Sequence, residues 1–141
     1  MAPFLPDRTI VSTALIVVVT NGVASAEGRI LIYGPNGDNQ PGPLIDASPD
    51  LDLSSNGDKS WSKAQTFTAG ELYFLGVQFS NHTPTMRAIN STNLHPVDWS
   101  TGVTPDVVYR QFGFDFGDPP PDPYGSTVKL SVNMPMVLIA T

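Results

Sequence analysis

The sequence predicts an all-β protein: a two-sheet antiparallel β-sandwich, jelly-roll-like, with negligible helix. Short apolar runs recur along the chain at Arg29–Tyr33 (RILIY), Pro43–Ala47 (PLIDA), Leu51–Gly57 (LDLSSNG), Gln65–Phe79 and Pro84–Ile89 (PTMRAI), bounded by Gly, Pro, Asn and Asp. Runs of this length between turn residues are the sequence form of closely spaced strands. The 12 glycines and 14 prolines are spread throughout while only 14% of residues are charged, so turns punctuate the chain and helix-favouring stretches are few. The hydrophobic content of 40% exceeds that of a disordered chain, and 141 residues suffice for one continuous core. The expectation is a single β-sandwich domain over residues 1–141, with an aromatic and proline-rich loop region at about 96–125.

Ile10–Thr20 reads as the first strand, followed by a turn centred on Asn21-Gly22 that leads into RILIY. The same segment imitates a secretory signal, since an apolar run from Thr13 to Val19 precedes Ala24-Ser25-Ala26 and Glu27. Asp7 beside Arg8 and two early prolines deny it a positively charged start, so Ile10, Leu15, Val17 and Val19 are expected in the folded core. Secretion, with residues 1–26 removed, is the alternative. The apolar run falls well short of the ~20 residues that cross a bilayer, so no membrane partner is expected.

The strand Leu72–Phe79 should be the centrepiece. Tyr73, Leu75, Val77 and Phe79 alternate onto one face, and Leu72, Phe74, Gly76 and Gln78 onto the other. With both faces largely apolar, one should meet the opposing sheet and the other should lie under a loop or a neighbouring subunit. Gly76 suggests a close backbone approach or a bulge. Met86–Ile89 should pair beside this strand through a turn at Asn81–Pro84, and Thr127–Val132 and Met136–Ala140 should be the last strands. No fixed-period repeat is visible, which removes solenoids and propellers.

Residues 96–106 (PVDWSTGVTPD) and 112–125 (FGFDFGDPPPDPYG) place Trp99, Phe112, Phe114, Phe116 and Tyr124 in acidic, proline-rich sequence. A short strand would put Phe112, Phe114 and Phe116 on one face. These rings either cover part of the sandwich or form a partner-binding surface, for which aromatic anchors beside a stiff polyproline run are suited. Pro119-Pro120-Pro121 cannot enter a central strand in either case.

Chemistry-bearing patterns are sparse. The net charge of −6, with seven scattered Lys and Arg, argues against nucleic acid as a partner. Without cysteine there are neither disulfides nor thiolate metal sites. His82 and His95 lack partners at zinc-ligand spacing. No Gly-x-Ser-x-Gly elbow or phosphate-binding glycine loop occurs, and no catalytic residue or cofactor is expected. Asn36-Gly37-Asp38-Asn39, or Asp115 with Asp118 and Asp122, could suggest calcium but lack an acidic ladder, so solvated turns are expected. Asn81-His82-Thr83 and Asn90-Ser91-Thr92 match the glycosylation pattern, relevant only on a eukaryotic secretory route.

One ordered series goes beyond strand vocabulary. Arg-Ile-x-Ile-Tyr is followed by a loop ending in Pro41-Gly42, Leu44-Ile45-Asp46, Asp52-Leu53-Ser54, Thr68-Ala69-Gly70 before Leu72-Tyr73-Phe74-Leu75, and Pro84 to Ile89. This series resembles a β-sandwich module of tailed-bacteriophage virion surface proteins, of the tail-fibre and head-decoration type, over about residues 4–95. The resemblance implies a non-enzymatic virion structural protein: a capsid decoration, cement or head-fibre component on the virion surface, homotrimeric and in contact with capsid or tail proteins. A tail-fibre receptor-binding or carbohydrate-binding module, with a host-surface glycan as ligand, is the alternative. A fibre tip usually hangs from an upstream stalk, whereas this module starts at Met1, which favours decoration.

Overall fold

The computed structural model describes residues 1–80, 84–89, 108–110, 116–124, 128–130 and 134–141. Its strands are β1 (Ala2–Phe4), β2 (Ile10–Val11), β3 (Ala14–Asn21), β4 (Glu27–Pro35), β5 (Pro41–Ala47), β6 (Leu51–Asp52), β7 (Gly57–Ser62), β8 (Thr66–Phe67), β9 (Tyr73–Phe79), β10 (Thr85–Met86), β11 (Ala88–Ile89), β12 (Val108–Arg110), β13 (Val128–Leu130), β14 (Met134–Pro135) and β15 (Val137–Ala140). Among the described residues there is no helix, and every pairing is antiparallel. The protein is all-β, as its turn-punctuated apolar runs predict.

Two sheets form the body. The first has the order β1-β9-β4-β5, with β6 also on β4; in the second, β3 pairs with β7 on one side and with β10 and β15 on the other. Strict alternation along β3 explains its central place: Leu15, Val17 and Val19 are buried, while Ile16 and Val18 on the opposite face are half-buried. The buried set packs against Ile30 and Ile32 of β4 and Tyr73 and Leu75 of β9, closing the core between the sheets. Phe67 fills one end, with Phe4 and Tyr73 edge-on to it at centroid distances of 5.4 and 5.1 Å.

Strand β4 is buried on both faces from Ile30 to Gly34, the pattern of a strand with packing on each side. Ile30 and Ile32 face the opposing sheet, while Leu31 and Tyr33 face away from it and form a second buried group with Phe74. Gly76 is opposite Leu31 in the register, and a Cβ there would sit 2.9 Å from Met1 Cγ and 3.1 Å from Met1 Cα. The expected close approach therefore occurs, made by the chain's own Met1.

The edges are handled locally. Strand β5 carries Pro41 and Pro43 and has register breaks, one of which leaves Ile45 as the extra, 43% exposed residue. Bulges and prolines blunt an edge against pairing with another chain. Ser48 extends the ladder beyond β5, its Oγ accepting the Ile30 N–H at 2.9 Å and its own N–H donating to the Ile30 carbonyl. Lys63, which follows β7, forms an ion pair with Asp46 of β5, so a charge pair spans from one sheet to the other.

Several expectations require correction. Met86–Ile89 does not pair beside β9: both sides of β9 are already taken, by β1 and β4. Instead Met86 pairs with Val19 of β3, and Ala88 and Ile89 pair with Pro135 and Met134. The first strand divides at Ser12-Thr13, where Ser12 Oγ donates to the Lys63 carbonyl at 2.7 Å and its backbone N–H donates to the Gln65 carbonyl. Ile10, on the short β2, is half-buried, unlike Leu15, Val17 and Val19. Of Leu51–Gly57, only Leu51–Asp52 forms β6, and Gly57 opens β7.

Candidate functional site: a proline-rich strap on the outer sheet face

The outward face of the first sheet is apolar: Leu31, Tyr33 and Phe74 are buried there, with Met1, Leu44, Ala47, Leu72 and Tyr124 packed around them. Such a face must be covered, because leaving three large side chains in water forfeits about 1.5–3 kcal/mol each. Residues 116–124, FGDPPPDPY, contribute to the cover. Three consecutive prolines give this segment few backbone donors of its own and a stiff course, so it is fastened by side chains and isolated backbone bonds rather than as a strand.

The fastenings run along its length. At its start, the Arg29 guanidinium carbon lies 4.5 Å from the centre of the Phe116 ring, Nη1 donates to the Asp118 carbonyl at 2.9 Å, and Nε is ion-paired with Asp50. Arg29 thereby satisfies three partners at once, which its planar fork allows and a lysine would not. In the middle, Tyr33 Oη donates to the Pro121 carbonyl at 2.7 Å. Near the end, Asp122 Oδ1 accepts the Leu44 N–H at 2.9 Å and the Tyr124 N–H donates to the Gly42 carbonyl at 2.7 Å. The Tyr124 ring stands edge-on to Tyr33, centroids 5.1 Å apart.

Electrostatics follow from this cover. Burial, the neighbouring Tyr124 phenol and the Asp122 carboxylate all push the Tyr33 hydroxyl well above the ordinary phenol range. Burial pushes the Tyr124 hydroxyl up to about 12. Both phenols are neutral near neutral pH, so Tyr33 donates its proton to Pro121 rather than bearing charge. Facing solvent, the strap presents Asp118, Pro119, Asp122 and Pro123, an exposed acidic and prolyl ridge.

Of the residues proposed for partner binding, Phe116 and Tyr124 are thus brought to opposite ends of one strap and are both half-buried. Trp99, Phe112 and Phe114 lie outside the described residues, as do His82, His95 and Asp115. Asn36 uses its side-chain oxygen within its own turn, accepting the Asp38 and Gln40 N–H groups, each at 2.9 Å. Among the described residues no cluster of three His, Cys, Asp or Glu side chains could hold a metal ion, and no helix is long and apolar enough to cross a membrane. Arg29 and Tyr33 stand in the Arg-Ile-x-Ile-Tyr run and Asp122 among the acidic residues weighed for calcium, but sequence reasoning gave none of the three a part in fastening the strap. The chain matches no protein-family model, no curated protein and no solved structure.

Proposed function

We propose that this chain is a non-enzymatic, multi-copy structural protein of a bacteriophage virion surface, most simply a capsid decoration, cement or head-fibre component. It is assembled as a homotrimer and attached to capsid or tail proteins through its aromatic and proline-rich region. The observation that carries the reading is the strap: residues 116–124 are pinned to the sheet at both ends and in the middle. A segment ordered before a partner arrives loses little conformational freedom on binding, so flanking aromatic residues can act as anchors at low entropic cost. Phe112 and Phe114 precede the pinned Phe116 by four and two residues. Blunted edges on β5 support contact through side chains rather than through strand addition. The resemblance of the ordered strand series to phage surface modules supplies the setting.

Retention of residues 1–26 belongs to the same reading. Their removal would take away β1, β2 and the central strand of the second sheet, with Leu15, Val17 and Val19 from the core. Immunogold labelling and protein mass spectrometry of purified particles test the proposal: the account expects many copies per particle with Leu15 to Val19 present. Absence from particles, with release into the medium of a product beginning at Glu27, would overturn it in favour of a secreted sugar-binding protein.

A further inference from the structure

The chain contains three Asn-Gly pairs, at Asn21-Gly22, Asn36-Gly37 and Asn56-Gly57. This dipeptide is the one in which an unhindered backbone nitrogen adjoins a side-chain amide, and asparagine is chemically labile for that reason. The fold treats the three very differently. We infer that Asn36 is a site of self-modification, at which the hairpin between β4 and β5 promotes conversion of the asparagine to aspartate and isoaspartate.

At the first pair the nucleophile is engaged. The Gly22 N–H donates to Asn56 Oδ1 at 2.8 Å, and a Cβ on Gly22 would stand 2.4 Å from the Ser54 carbonyl oxygen, so that segment has no room to rearrange. The third pair is exposed, and a Cβ on Gly57 would meet nothing within 4 Å, but Gly57 is held in the sheet opposite Val19 at a φ of 117° and Asn56 Oδ1 takes one backbone donor, the Gly22 N–H, where Asn36 Oδ1 takes two. Gly37 is the opposite case. It lies in the turn between β4 and β5 and in no strand, it is exposed, a Cβ added to it would meet nothing within 4 Å, and among the described residues its N–H makes no hydrogen bond.

The electrophile at Asn36 is also prepared. Its Oδ1 accepts two backbone N–H groups, from Asp38 and Gln40, both at 2.9 Å. When the Gly37 nitrogen adds to Asn36 Cγ, negative charge develops on this oxygen, and two fixed donors aimed at it act as an oxyanion hole. The Gly37 nitrogen gives up its proton, a bond forms between it and Cγ, and the Cγ–Nδ2 bond breaks with release of ammonia. Water then opens the resulting succinimide at either carbonyl, giving aspartate or isoaspartate.

The turn can keep its hydrogen bonds in the isoaspartate form. The oxygen held by Asp38 and Gln40 becomes the main-chain carbonyl, while the former main-chain carbonyl, which accepts the Asn39 N–H at 3.2 Å, becomes the new carboxylate. Each event therefore adds one negative charge at the end of the first sheet without dismantling the hairpin.

The experiment incubates the purified protein at mildly alkaline pH, folded and in urea, and follows all three asparagines by tandem mass spectrometry with isoaspartate-specific fragmentation. In the folded protein Asn36 should convert at least about tenfold faster than Asn21 and Asn56, and faster than in urea, where the three converge. Gly37→Ala should slow it by hindering the nucleophile. Asp38→Pro, which lacks one donor, should slow it too, with circular dichroism checking that the sheet persists. Conversion of Asn36 no faster folded than in urea, or earlier conversion at Asn21 or Asn56, would overturn the inference.

Discussion

The Tyr33 hydroxyl donates to the Pro121 carbonyl at 2.7 Å, joining positions 88 residues apart. The Tyr33 ring is fully buried against Leu31 and Phe74, so one side chain is both a core element of the sheet and the fastener of the strap. Tyr33→Phe keeps the ring but leaves the carbonyl unpaired, and should cost about 1–3 kcal/mol. Tyr33→Ala also opens a cavity and should cost about 3–5 kcal/mol. Urea unfolding of the two variants checks the order; equal stability of Tyr33→Phe and wild type would mean that the strap bond adds nothing.

Alkaline pH should loosen the same contact. The Tyr33 and Tyr124 hydroxyls have folded-state pKa values raised by burial, so the folded form favours their protonated state. Their contribution is complete below the ordinary phenol pKa of about 10. It is lost as pH rises, through about 12 for Tyr124 and higher for Tyr33. Ultraviolet absorbance should show Tyr33 and Tyr124 ionising above the ordinary phenol range, and unfolding should accompany them. Tyr33→Phe combined with Tyr124→Phe should remove this part of the alkaline sensitivity.

Neighbouring positions on β3 should respond very differently to the same charge. Val17 is 1% exposed within the core, and Val18 faces the other way. Val17→Asp places an unpaired carboxylate among apolar side chains and should cost several kcal/mol, enough to unfold a marginally stable domain. Val18→Asp should leave a folded protein with a modestly lower melting temperature. Similar effects at both positions would contradict the assigned register.

How much of this was legible follows from where the signal lies. Strands β3, β4 and β9 are written in local alternation and in continuous apolar runs, and so were their buried faces. Strand β7, GDKSWS, was not: apart from Trp61 its residues have no strand preference, and it is a strand because β3 offers a ladder to it. β1 is three residues long and contains a proline, which hides it. The displacement of Thr85–Met86 to the second sheet depended on β9 having both edges filled, a fact of topology and not of local sequence. The apolar outer face was readable from Phe74 opposite Tyr73 and Leu75, but that FGDPPPDPY would help to cover it was not. Contacts from Tyr33 to Pro121 and from Leu44 to Asp122 leave no trace in residue spacing.

Particle binding tests the functional account most directly. Wild type and the double variant Trp99→Ala, Phe114→Ala are mixed with particles lacking the protein, and occupancy is read by sedimentation. If these rings anchor the protein, their loss should cost at least about 2 kcal/mol of association for each hot spot, lowering occupancy sharply at limiting concentration while circular dichroism stays unchanged. Equal occupancy by a correctly folded variant would contradict attachment through the aromatic segment, and failure of the wild type to bind at all would contradict the virion role.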